Sequence, residues 1–158
     1  MTHMNDIRLL LDNIRSVHNV GSIFRTAETA AVSKIYCLGM TPVPLDRFGR
    51  KRKDFAKVAL GAEDLVSWEH VKSATVIIKK LKKEGFQIIA IEQAAKSIDY
   101  LEVSPRQKVL IILGNEIGGI RPQILKLADV IAEIPLKGKK ESLNVSVVAG
   151  IILYGMIS

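Results

Sequence analysis

Three polar stretches hold the residues whose types and spacing suit chemistry. Ser142 and Asn144 stand just ahead of the apolar run Val145 to Ile157, in a loop that follows Ile134-Pro135. A helix starting after Asn144 offers Ser, Asn and backbone N–H groups at its opening, with aliphatic surface behind them. Upstream, Leu110-Ile-Ile-Leu113 runs into Gly114-Asn-Glu-Ile-Gly-Gly119, and Leu9-Leu-Leu11 runs into a segment that includes Asn19, Gly21 and Arg25. Each of these two sets Gly, Asn and a charged residue at the carboxyl end of a strand, where open α/β sheets bind ligands. The three loops are expected to converge on one cleft. Gly, Asn, Glu and exposed backbone suit hydrogen bonding to an adenosine-like ligand, and an arginine suits phosphate. For Arg25 the bland reading also stands: a surface pair with Glu28, three residues on.

Other chemistries fit poorly. No Gly-x-Gly-x-x-Gly follows the first strand and no Gly-Lys-Ser/Thr is present, which argues against dinucleotide and P-loop enzymes. His3, His18 and His70 stand apart and Cys37 is alone, so no zinc spacing exists. Ser142 lacks a Gly-x-Ser-x-Gly setting, which weakens a hydrolase reading.

Positioning such loops requires strands and helices. Ile7 to Leu11, Lys34 to Leu38, Gln87 to Ile91, Lys108 to Leu113 and Asp129 to Ile134 are apolar-rich runs without alternation. That pattern predicts an α/β fold, a parallel sheet with helices on both faces. Asn19 is expected to cap a helix whose apolar positions run from Val20 to Ala31, with Arg25 in its second turn. Further helices are expected from Phe55 to Leu60, from Ser73 to Glu84 (with its lysines complementing the helix dipole), from Arg121 to Leu127 with Pro122 in the first turn, and from Val145 to Ile157. Leu65 to Val71 reads as strand or turn with Trp68 in the core, and Ala94 to Val103 as a connection. The last helix is apolar nearly all round, so a second buried face is expected, supplied by a partner subunit in a homodimer.

At 158 residues the chain is expected to form one domain over 1–158. Lys and Arg exceed Asp and Glu by seven, a balance that favours polyanionic partners or else only a solvated basic surface. Five of those cations, Arg47, Arg50, Lys51, Arg52 and Lys53, sit with Phe48 in the loop after Thr41. Such a loop suits RNA phosphates and one stacked base, and a merely solvated charge run is the alternative. One cysteine, no leader-like pattern in Met1 to Asp6 and no apolar run of about 20 residues predict a soluble cytoplasmic protein without a membrane partner.

Together Asn19-x-Gly21-x-x-x-Arg25, Leu113-Gly-Asn-Glu116-x-x-Gly119 and Ile134-Pro-x-x-Gly138 with Ser142-Leu-Asn144-Val-Ser146 resemble the three motifs of the SpoU (TrmH-type) RNA 2′-O-ribose methyltransferases, of the SPOUT class. The resemblance implies a carboxyl-terminal trefoil knot, S-adenosyl-L-methionine as cofactor, dimerisation across the knot, and methyl transfer to a ribose 2′-hydroxyl of tRNA or rRNA. It implies Asn19, Arg25, Glu116, Ser142 and Asn144 as the catalytic and supporting set, with Ser142 and Asn144 orienting Arg25. It also implies that Leu113, Gly114, Asn115, Ile134, Leu136 and Leu143 surround the cofactor. Metal is not implied. Ser16-Val17 stands where the family often has an acidic residue and proline, a change expected to alter loop stiffness only. No separate RNA-binding domain is expected, so RNA recognition falls to the dimer face and the 47–53 loop. The competing readings are a catalytically inactive RNA-binding dimer of the same fold and a methyltransferase acting on a base nitrogen.

Overall fold

The structure, a computed structural model, describes residues 5–157. Met1 to Met4, and with them His3 and most of the stretch read for a leader, lie outside the described residues, as does Ser158.

Seven strands form one sheet: β1 (Asp6–Asp12), β2 (Lys34–Leu38), β3 (Ser67–Val71), β4 (Gln87–Ile91), β5 (Ile98–Asp99), β6 (Lys108–Gly114) and β7 (Val130–Glu133). Their order is β3-β2-β1-β6-β4-β7-β5 and every pairing is parallel. The helices are α1 (Val17–Thr29), α2 (Lys53–Ala59), α3 (Ala74–Lys83), α4 (Pro122–Leu125) and α5 (Val145–Ile151), the last continuing as a π-helical turn over Ile152–Met156.

The continuous apolar runs are explained by cover on both faces. Leu9, Leu11, Ile35 and Cys37 point into a layer with α1, α2, α5 and the π turn, while Leu10, Tyr36 and Leu38 point into the layer holding α3 and α4. In the first layer α1 and α2 meet closely: the Phe24 and Phe55 rings pack edge to face at 5.0 Å, and a Cβ on Gly21 would stand 3.0 Å from Val58 Cβ.

Three expectations are corrected. Asn19 is not a cap: Ser16 caps α1, its Oγ accepting the Asn19 N–H at 3.1 Å. Ser16-Val17 therefore forms the helix start, where serine caps well. The same helix stops at Thr29, because Ala31 turns left-handed (φ 59°) and the Val32 N–H closes onto the Ala27 carbonyl at 2.9 Å. Within 94–103 the chain makes the two-residue β5 and a 3₁₀ turn over Tyr100–Glu102. Leu65 to Val71 resolves as edge strand β3, with Trp68 half-buried against the core.

Candidate active site

Strand register brings two of the three motifs together. Asp12 lies opposite Gly114, so β1 and β6 end side by side. The loop after β6 is then folded by Asn115, whose Oδ1 accepts the N–H groups of Ile117 and Gly118 at 2.9 and 3.0 Å and whose Nδ2 donates to the Asn13 carbonyl at 2.6 Å. Gly114 permits this turn: a Cβ there would lie 2.5 Å from both the Gly119 carbonyl carbon and the Ile120 nitrogen. Farther along, Arg121 Nη2 donates at 2.9 Å to Asp12, a carboxylate 1% exposed, and so ties the loop's far side back to β1.

The third motif joins through a chain of amides. Asn144 caps α5, its Oδ1 accepting the Ser146 N–H at 2.8 Å and hydroxyl at 2.5 Å. With that oxygen occupied, Asn144 Nδ2 donates to Asn19 Oδ1 at 3.1 Å, and Asn19 Nδ2 in turn donates to Glu116 Oε1 at 3.3 Å. Both amide orientations are set by the cap. Asn19 is buried in the first turn of α1, which explains why this asparagine stands inside a helix: its side chain serves a contact between residues 97 and 125 positions away.

Beside this relay a cavity of about 460 Å³ opens at the carboxyl ends of β4, β6 and β7. All six residues expected around the ligand, Leu113, Gly114, Asn115, Ile134, Leu136 and Leu143, line it, together with Glu116 and Ser142. Three carboxylates not anticipated from the sequence, Glu92, Glu133 and Glu141, line it as well. No Lys, Arg or His does, although the chain carries seven excess cations. Glu92 also fixes the wall, its Oε2 accepting the Ile120 N–H at 2.7 Å. The available signal was positional: Glu92 directly follows β4 and Glu133 ends β7, and parallel sheets bind ligands at those ends. Apolar walls at Ile91, Leu113, Leu136, Leu143 and Val148 with four carboxylates among them suit a flat ligand that also carries positive charge.

Arg25 is not part of this cavity. It lies exposed on α1 and makes no hydrogen bond or ion pair among the described residues, with Glu28, Ser142 or Asn144 included. Neighbouring Thr26 faces α5, its Cγ2 4.0 Å from where a Gly150 Cβ would stand. Of the five loop cations, Arg50 pairs with Asp46 at 3.3 Å, Lys51 with Asp64 at 2.8 Å and Arg52 with Asp54 at 2.8 Å. Asp64 raises the Lys51 pKa, and Arg52 holds the Asp54 carboxyl below its ordinary value. Lys53 begins α2, and Lys51 and Arg52 line a second cavity of about 370 Å³ under the loop.

An all-parallel sheet with a cavity at its strand ends, and three motif loops knitted together by amides, defines a SPOUT-class domain. The chain belongs to the SpoU rRNA Methylase family, whose model matches residues 6–154. It is 32% identical over 149 residues to the tRNA (guanosine(18)-2′-O)-methyltransferase of Aquifex aeolicus (strain VF5), covering 94% of this chain and 67% of that one. It is 33% identical over 151 residues to the 23S rRNA (guanosine-2′-O-)-methyltransferase RlmB of Coxiella burnetii (strain RSA 493 / Nine Mile phase I), covering 92% and 56%. The crystal structure of the AdoMet-bound rRNA methyltransferase from Sinorhizobium meliloti superposes with a TM-score of 0.84 at 27% identity, covering 96% of this chain and 56% of that one. The chain thus spans 56 to 67% of the length of these relatives.

Proposed function

We propose that this chain transfers a methyl group from S-adenosyl-L-methionine to a ribose 2′-hydroxyl of tRNA or rRNA. The observation that carries the reading is the cavity: in a strongly basic protein its charged lining consists of four glutamates, which fits a ligand bearing a sulfonium and an ammonium group. S-adenosyl-L-methionine, when bound, supplies an activated methyl group on a positively charged sulfur. Leu113, Leu136 and Leu143 hold the flat part of such a ligand, Gly114, Asn115 and Ile134 offer backbone groups, and Glu92, Glu116, Glu133 and Glu141 attract its charge.

The acceptor hydroxyl is a poor nucleophile that must lose its proton as it attacks. A guanidinium keeps its own proton across the physiological range, so Arg25 acts as a cation: it holds the adjacent phosphate and stabilises the charge developing on the 2′-oxygen, while phosphate or water accepts the proton. Glu116, oriented by Asn19 and through it by Asn144, fixes the mouth of the cavity beside the acceptor, and Ser142 lines the same mouth.

Arg25 reaches the reaction across a dimer. Along α5 and the π turn, Val147 is 49% and Tyr154 56% exposed, with Leu143 40% exposed just ahead of them. A face this apolar calls for a partner, and Arg25 flanks it through the contact of Thr26 with Gly150. Two chains joined on this face place each Arg25 toward the other's cavity, and family membership supports a knotted path for the carboxyl-terminal segment. Mixing Arg25→Ala chains with Gly114→Val chains tests the arrangement: transfer returns in the mixture if the arginine works across the dimer and stays absent if it serves its own cavity.

A further inference from the structure

The loop between β2 and α2 carries an aromatic side chain that the fold does not use. Phe48 is 65% exposed and belongs to neither hydrophobic layer. Its position is nevertheless fixed. Asp46 Oδ1 accepts the backbone N–H groups of Phe48 and Arg50 at 2.8 and 3.0 Å, and the Asp46 N–H donates to the Arg50 carbonyl at 2.8 Å. Those amides, Arg50 first, hold the Asp46 carboxyl below its ordinary pKa. Gly49 supplies the left-handed step (φ +77°), and a bridge between Leu45 and Lys51 closes the base of the turn.

At the tip the Arg47 and Arg50 guanidinium carbons lie 4.8 and 5.0 Å from the Phe48 ring centroid. Arg50 is also paired with Asp46 within the turn, as Lys51 and Arg52 are with Asp64 and Asp54. Arg47 makes no ion pair among the described residues. An ordered, exposed turn in which two guanidinium groups lie over an aromatic ring offers stacked planes to the face of an unpaired base and positive charge to its flanking phosphate. Bases inside an A-form helix do not present their faces.

We propose that Phe48, with Arg47 and Arg50, is a stacking platform for one unpaired base of the substrate RNA, so that this surface selects a single-stranded loop over a helix. The inference rests on RNA being the substrate, and it names which of the basic-loop residues meet it and how.

The test uses the full chain, a fluorescein-labelled single-stranded RNA 12-mer of mixed sequence and the duplex of that 12-mer, with Kd measured against KCl concentration. Phe48→Ala is expected to weaken single-strand binding about 5- to 150-fold, leave duplex binding unchanged and leave the salt slope intact, because stacking releases no counterions. Phe48→Tyr restores binding. Arg47→Ala lowers the single-strand salt slope by about 0.7, whereas Lys51→Ala changes it less. Wild-type single-strand affinity retained by Phe48→Ala, equal losses on both RNAs, or no single-strand binding by the wild type would each overturn the platform. S-adenosyl-L-methionine binding by calorimetry and methyl transfer to bulk RNA are measured on the same proteins. A neutral Phe48→Ala with intact transfer sinks the platform alone, and an empty cavity with no transfer sinks the methyltransferase reading alone.

Discussion

At the scale of single residues, the direction of two amides couples α1 to the cavity, and Arg25 makes no ion pair among the described residues. Asn19 donates directly to Glu116, while Asn144, held by the α5 cap, acts on Glu116 only through Asn19. Asn19→Ala is therefore expected to lower kcat about tenfold or more, with a smaller loss of cofactor affinity transmitted through Glu116, since Asn19 itself does not line the cavity. Asn144→Ala adds the loss of a helix cap, about 1 kcal/mol of stability, readable as a lower midpoint in urea. Arg25→Ala should reduce transfer by about 10²- to 10³-fold, and Arg25→Lys should recover little if the guanidinium fork is what grips phosphate. Near-normal turnover with lysine would refute the fork's role. Cys37 belongs to the core: burial pushes its thiol up to about 12 from 9.0. A thiol raised in the folded state adds stability that is complete below about pH 9 and is lost as pH climbs toward 12. Alkylation by iodoacetamide at pH 8 should therefore be slow in the native protein and fast in 6 M guanidinium, and rapid native labelling would show that the site is open.

At the scale of elements, the turn after β6 tolerates no side chain at Gly114. A Cβ would press within 2.5 Å of backbone on the opposite arm, so Gly114→Ala should weaken S-adenosyl-L-methionine binding at least tenfold with the sheet's circular dichroism intact. Unchanged affinity would mean that the turn relaxes without cost to the site. Strands and most helices were legible in the sequence because burial on both faces leaves uninterrupted Ile/Val/Leu runs, and because Gly61 and Gly85 mark helix ends where φ is positive. Other elements were not legible, for physical reasons. β3 is an edge strand with Glu69 and His70 exposed, so it lacks the apolar run of its neighbours. β5 is two residues paired only to β7. The start of α1 was not legible because asparagine often caps helices, while here Ser16 takes the cap and Asn19 bonds to Glu116 and Asn144 from distant positions. At the site, six of the cavity-lining residues were legible from their motifs, whereas Glu92, Glu133 and Glu141 sit outside those quoted runs and join the same cavity only in the folded chain.

At the scale of the whole molecule, the distribution of charge separates two tasks. The net charge of +7 favours a polyanion on the outside, while the charged residues lining the cavity are carboxylates. Among the described residues no helix is long and apolar enough to cross a membrane, and the proposed dimer would cover the exposed apolar residues of α5. Sedimentation is expected to give a dimer, and Val147→Asp a monomer that loses transfer while still binding S-adenosyl-L-methionine. A monomeric wild type with full activity would remove both the dimer and the arginine acting across it.

The most direct measurement is methyl transfer from isotopically labelled S-adenosyl-L-methionine to separated tRNA and rRNA lacking native modification, with Arg25→Ala alongside and nuclease digestion followed by mass spectrometry to place the label. The expected result is label on a ribose 2′-oxygen in one RNA class, lowered about 10²- to 10³-fold in Arg25→Ala. Label on a base, or cofactor held in the cavity with no transfer to either RNA, would contradict it.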